Sequence, residues 1–214
     1  RRQRQMCIRD SVRIIRNAET NLGDLCADAY RALSNADIAF VNGGGIRKQI
    51  EAGDITLDDI YSVHPFGNTM CVIRVTGQQV LDALEWGARA VPSENGGFLQ
   101  VSGLTYEIHT GVASSAEKDE NGMFTRVSGE YRVKNVMVGG QPLELDKTYT
   151  LASHNYMLLG HGDGYTMFDG CEVLGEDMMV DNQVLITYIT TTLGGVVGEQ
   201  YANPYGDGRI VAVE

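Results

Sequence analysis

The chain has 214 residues, 43% of them hydrophobic, with 28 acidic against 17 basic side chains and a formal net charge of −11. That length can bury one substantial core, and no apolar run is long enough to cross a bilayer as a helix. Six of the 17 basic residues (Arg1, Arg2, Arg4, Arg9, Arg13, Arg16) crowd the first sixteen positions against Asp10 alone, leaving 11 basic and 27 acidic residues elsewhere. A field of that sign repels nucleic acid polymers but still admits a small anion gripped at short range by a few arginines.

Position 1 is Arg and no signal-peptide pattern follows it, so we expect a piece of a longer protein, with residues 1–16 as a basic linker or interdomain helix segment and 17–214 as the domain proper. Thr20-Asn21 caps a helix whose Leu22, Leu25, Cys26, Ala29 and Leu33 recur at helical spacing. Asp37-Ile38-Ala39-Phe40-Val41 reads as a short buried strand that empties into Asn42-Gly43-Gly44-Gly45-Ile46-Arg47. Thr56 and Asp59 have capping-box spacing ahead of a short helix opening at Ile60, which His64-Pro65 stops. Cys71 to Val75 is strand-like. Thr76 then caps a third helix that carries Val80, Leu81, Leu84, Ala88 and Val91 on one face.

The second half changes character. Leu104, Tyr106 and Ile108 alternate with polar residues, the period of a half-buried strand. Ser114 to Gly129 reads as a solvent loop. Tyr131 to Val138 and Leu143 to Ala152 flank Gly139-Gly140 as a hairpin, Val184 to Ile189 suits a helix, and Arg209 to Val213 a closing strand. Interleaved helices and strands with hairpins predict an α+β fold built on a mixed sheet. Cys7, Cys26, Cys71 and Cys171 form no CxxC pair, and Cys26 and Cys71 sit in apolar runs where a thiol is a small core residue.

Four segments stand out chemically. In NGGGIR the glycines serve either a positive φ or a close approach to the backbone. Their N–H groups would make an anion-attracting concavity, and Arg47 adds a bidentate donor. In His64-Pro65-Phe66-Gly67-Asn68 the aromatic is either a stacking platform or a hydrophobic plug, and Asn68 offers both donor and acceptor to a heterocycle edge. In NYMLLGHGDGY, Asp163 is either an acceptor for sugar hydroxyls or an Asx-type turn stabiliser, and Tyr156 either a second platform or core. Gly96-Gly97-Phe98-Leu99-Gln100 again sets glycines before a strand. His154, His161 and Asp163 invite a metal site, but no HExxH or DxH accompanies them; a serine hydrolase is disfavoured because there is no GxSxG elbow. Together these parts suit a phosphorylated aromatic ring: cation for phosphate, aromatics for base, carboxylate for ribose.

At these residues the chain resembles the C-terminal domain of the 5′-nucleotidase family, which includes bacterial periplasmic UDP-sugar hydrolases and animal ecto-5′-nucleotidases. The resemblance runs from about Arg16 to Phe168 through ETNLGDLCADA, VNGGGIR with EAGDITLDDI, HPFGNTM, GGFLQVSGLTYEI and NYMLLGHGDGYTMF, in order and at matching spacing. It implies a nucleoside- or nucleotide-binding domain at 17–214. It also implies a partner N-terminal metallophosphoesterase domain, not in this chain, that holds two divalent metal ions and does the hydrolysis. On that basis we expect no catalytic residue, metal ligand or cofactor in this chain, which should bind without hydrolysing. An extracellular, cell-surface or periplasmic location is implied as well. Carried over residue by residue, Phe66 and Tyr156 resemble the two stacking aromatics, Arg16 and Arg47 the arginines near the nucleotide, and Asn42 a substrate-contacting asparagine. Asp163 resembles the ribose-binding aspartate, and Asn68 and Gly96 the lining of the base edge. The loop from Tyr156 to Asp163 is one residue longer than in those members, leaving Met157 as an alternative to Tyr156 and His161 with no transferable role. Other functions compatible with the pattern are a non-catalytic nucleoside sensor, or a relative acting on 2′,3′-cyclic nucleotides, UDP-sugars or a non-nucleotide substrate.

Overall fold

The computed structural model describes residues 13–214. Cys7 and most of the basic lead-in therefore lie outside the described residues, while Ile14–Arg16 forms one 3-10 turn whose Ile15 is buried in the core. Helix α1 (Asn21–Ser34) starts where expected, with the Thr20 hydroxyl accepting from Gly23 N–H at 3.0 Å. Strand β1 (Ile38–Asn42) follows. Helix α2 (Leu57–Val63) begins three residues ahead of the expected Ile60, because Asp59 is the third helical residue of the Thr56 capping box. Strand β2 (Met70–Thr76) leads through a second capping box, Thr76 with Gln79, into α3 (Gly77–Ala88).

Strands β3 (Leu99–Ser102) and β4 (Leu104–His109) come next. The expected solvent loop at Ser114 to Gly129 is instead partly a hairpin, β5 (Ala116–Lys118) with β6 (Phe124–Val127), and it buries Phe124 edge-on against Trp86 at 5.6 Å. Strand β7 (Val133–Val138) turns at Gly139-Gly140 into β8 (Gln141–Pro142), and there the hairpin stops. The expected long partner is a separate strand, β9 (Thr148–His154), which crosses to the other sheet. Helix α4 (Asn155–Leu158), β10 (Glu172–Gly175), α5 (Asp181–Thr187) and the closing β11 (Ile210–Val213) complete the chain.

The main sheet has the order β10-β2-β9-β1-β3, with β1 parallel to β9 and the other neighbours antiparallel. The second sheet is β11-β4-β7-β8. Strands β2, β9, β1 and β3 of the main sheet are largely buried on both faces, whereas the edge strand β10 is exposed, and strand alternation sorts the buried side chains. Ile38, Phe40, Cys71, Ile73, Val75 and Leu151 face α3 and the second sheet, whereas Ala39, Val41, Met70, Val72 and Ala152 face α1, α2 and α5. Buried Glu85 of α3 accepts from the N–H groups of Arg132 and Val133 at 3.0 and 2.9 Å, tying the second sheet to the helix. Arg209 leads into β11 and holds both oxygens of Asp28 in α1, at 2.6 and 2.9 Å.

The glycine triplet corrects one expectation. None of Gly43, Gly44 and Gly45 has positive φ, and two of their N–H groups are already engaged: Gly43 donates to Phe98 O at 2.7 Å and Gly44 to Gly96 O at 2.8 Å. What the triplet permits is close approach of the protein's own backbone. A Cβ on Gly43 would strike the Ile15 carbonyl, and one on Gly44 would sit 2.9 Å from the Gly96 carbonyl oxygen. Gly43→Ala is expected to lower stability by about 1–3 kcal/mol in urea unfolding. Gly111→Ala, with open space around it, should stay within about 0.5 kcal/mol.

Candidate functional site

All four segments singled out by their chemistry meet at one end of the main sheet. Parallel β1 and β9 end there at Asn42 and His154. Antiparallel β2 and β3 begin there, with Met70 opposite His154 and Leu99 opposite Asn42. The loops at 43–47, 64–69, 95–98 and 155–165 therefore leave the sheet side by side.

Phe66 is 59% exposed at the tip of its loop, with the Arg47 guanidinium 5.8 Å from its ring centroid, within cation–π range. Arg47 also donates to Gly44 O at 3.3 Å. Tyr156 is 46% exposed on α4, while Met157 beside it is fully buried, so Tyr156 is the ring presented to solvent. The Tyr156 ring lies on Gly162, where any side chain would collide with it. Burial raises its phenol pKa, and the nearby Asp163 carboxylate adds to the effect.

Asp163 adopts a left-handed conformation, φ 56° and ψ 18°, beside His161, which is also left-handed. Its carbonyl accepts from Trp86 Nε1 at 2.9 Å, and its side chain packs on Gly97. Buried Asn42, 3% exposed, donates from Nδ2 to Asp163 Oδ2 at 2.6 Å and accepts on Oδ1 from His154 Nε2 at 2.8 Å. Both ends of the Asn42 amide are thus engaged inside the protein.

Arg16 lies against Gly96. Its guanidinium is made less basic first by burial, then by Arg13 and Arg47, while Glu94 and Asp163 act in the opposite sense. Gly96 is tied to Gly44 through its carbonyl. Asn68 sits at the far side of the arc, where its carbonyl accepts from Asp181 N at 2.8 Å. The suggested trio His154, His161 and Asp163 is not arranged as a ligand set: both ring nitrogens of His154 are hydrogen-bonded, and His161 pairs with Asp169.

Phe66, Arg47, Arg16, Asp163 and Tyr156 therefore follow one another around the end of the sheet as two exposed rings, two cations and a carboxylate. The parts that hold them were not singled out beforehand. Trp86 fixes Asp163 from below. Asn95 donates from its backbone to Arg16 O at 2.9 Å and accepts from Gly97 N–H at 3.0 Å. Nothing local marked these residues, because their partners are 70 or more positions away or depend on a particular turn.

The family model described as 5′-nucleotidase, C-terminal domain, matches residues 5–170. The trifunctional nucleotide phosphoesterase protein YfkN of Bacillus subtilis is 36% identical over 203 residues, 93% of this chain and 13% of that protein. The 5′-nucleotidase of Vibrio cholerae is 33% identical over 176 residues, 82% of this chain and 28% of that one. Among solved structures, a 5′-nucleotidase precursor from Thermus thermophilus superposes with a TM-score of 0.77 at 32% identity, over 93% of this chain and 36% of that chain. The chain belongs to the 5′-nucleotidase C-terminal domain family, and it spans well under half the length of these relatives. Among the described residues, no helix is long and apolar enough to cross a membrane.

Beneath the arc, His64 and His154 are both buried, and burial pushes each imidazole pKa down to about 4 from an ordinary 6.5. The unfolded chain then takes up protons before the native one does. The stability from their neutrality is full above pH 6.5 and is lost as pH falls toward about 4. In NMR titration, neither ring's Cε1–H is expected to move between about pH 8 and 5.5. A midpoint near 6.5 for either would place that ring in water.

Proposed function

We propose that this domain binds a nucleoside or nucleotide for a phosphohydrolase whose catalytic domain lies outside this chain. In this reading the base lies between Phe66 and Tyr156, with Asn68 and Gly96 near its edge. Asp163 accepts from ribose hydroxyls, and Arg16 and Arg47 meet the phosphate. The observation that carries the reading is the placement of two exposed aromatic rings, two arginines and a pre-oriented carboxylate around one end of one sheet. The names of the relatives, nucleotide phosphoesterase and 5′-nucleotidase, support the substrate class.

Hydrolysis, nucleotide breakdown and an exported location belong to the same proposal, as properties of a longer protein. The two divalent ions it requires fit no cluster of the described residues. Among the described residues, only Glu19, Asp24 and Asp207 gather their carboxylates at ligand spacing. Glu19 already accepts from the N–H groups of Asp207, Gly208 and Ile210, and Asp207 pairs with Arg209. We therefore assign no chemical step to this chain.

Calorimetric titration with adenosine, uridine and AMP tests the reading. Binding at micromolar to sub-millimolar levels is expected; none below about millimolar by an intact fold would overturn it. Phe66→Ala should weaken nucleoside binding by about 1–3 kcal/mol if the ring stacks on the base. Arg47→Ala should weaken AMP more than adenosine, because a charge-assisted contact to phosphate is lost only with AMP.

A further inference from the structure

His154 is 4% exposed at the end of β9 and forms no part of the arc that a ligand would touch. Its two nitrogens nonetheless have distinct partners that determine its tautomer. Met157 N–H donates to Nδ1 at 3.3 Å, so Nδ1 is the bare nitrogen and Nε2 carries the proton. Nε2–H then donates to Asn42 Oδ1 at 2.8 Å, which turns the Asn42 NH2 group toward Asp163 Oδ2 at 2.6 Å. Flipping the Asn42 amide would oppose two donors at His154 and two acceptors at Asp163. Each bond in the relay therefore dictates the direction of the next. Oδ2 of Asp163 is thereby engaged and the carboxylate is held in place, with the Tyr156 phenol also within reach of it.

We propose that His154 is a positioning residue for ribose recognition: through Asn42 it orients the Asp163 carboxylate toward the vicinal hydroxyls of a bound nucleoside. The inference rests on the nucleoside reading above and adds that sugar selectivity is set from within the sheet, two side chains behind the ligand. The imidazole acts as a neutral donor. Its surroundings suit that state, with the Tyr30 and Tyr156 ring centroids 6.5 and 5.9 Å from its own.

The test compares adenosine with 2′,3′-dideoxyadenosine, which lacks the hydroxyls Asp163 would read. His154→Phe keeps a flat ring, somewhat larger than the imidazole, and removes both hydrogen bonds. It should weaken adenosine roughly ten-fold, the effect of one lost charge-assisted hydrogen bond, and leave the dideoxy compound within about two-fold. His154→Gln, whose amide N–H can reach Asn42, should restore adenosine binding to within about three-fold of wild type. If the Phe variant fails to fold, His154→Asn replaces it: its shorter amide can accept from Met157 but cannot reach Asn42, so the same loss of selectivity is expected. Equal weakening of both ligands, or of neither, would overturn the positioning role while leaving the nucleoside reading intact. Failure of wild type to bind either ligand would overturn that reading and this proposal with it.

Discussion

Burial of β2, β9, β1 and β3 on both faces of the main sheet is the constraint from which the site follows. Each central strand must send alternate side chains into two different interiors, so a slip of one residue would exchange their occupants. Ile38 and Phe40 belong with α3, and Ala39 and Val41 with α1 and α5. That alternation locks β1, β9, β2 and β3 in register, and the locked register brings Asn42, His154, Met70 and Leu99 level at one end. Loops leaving a rigid edge can carry polar and strained residues without weakening the core. The left-handed His161 and Asp163 are examples, and the Trp86 indole tethers Asp163 to the scaffold.

The glycine triplet couples this edge to the lead-in segment. Because Gly43 and Gly44 have no side chains, the backbone of Ile15 and Gly96 can lie directly on the turn after β1. The same contact delivers Arg16 to Gly96 and sets it among Arg13, Arg47 and Asp163. An acidic domain thereby keeps a local knot of positive charge at one edge. At a few ångströms such cations outweigh a distant and screened negative field. Burial and mutual repulsion make Arg16 less basic, a strain that an anion placed among the arginines would relieve.

A second feature of the edge is its layering. The outer layer, Phe66, Arg47, Arg16, Tyr156 and Asp163, is exposed or half-buried and chemically varied. Behind it, Asn42 and His154 are buried and hydrogen-bonded in a single direction, so the orientation of the carboxylate in front is a property of the core. A buried polar pair of this kind is favourable only when every partner is satisfied. That condition explains why a neutral histidine, rather than a charged one, stands at the end of β9.

Much of this was legible in the sequence wherever the cause was local. Thr20, Thr56 and Thr76 announced three helix starts, the alternation of Leu104, Tyr106 and Ile108 announced a strand, and the order of the five motifs announced the family. The crossing of β9 into the other sheet was not legible, because Gly139-Gly140 makes the same turn whether two residues or eight pair beyond it, and only the far partners β1 and β2 decide. Nor was the use of the three glycines: a glycine offers positive φ and close approach equally, and the choice lay with Ile15 and Gly96 arriving from elsewhere in the chain. Residue types and local spacing thus determined which groups this protein brings to its site. Their directions, with Asn42 facing Asp163 and Tyr156 rather than Met157 facing solvent, were decided by the tertiary packing, which for Asn42 joins segments more than a hundred residues apart.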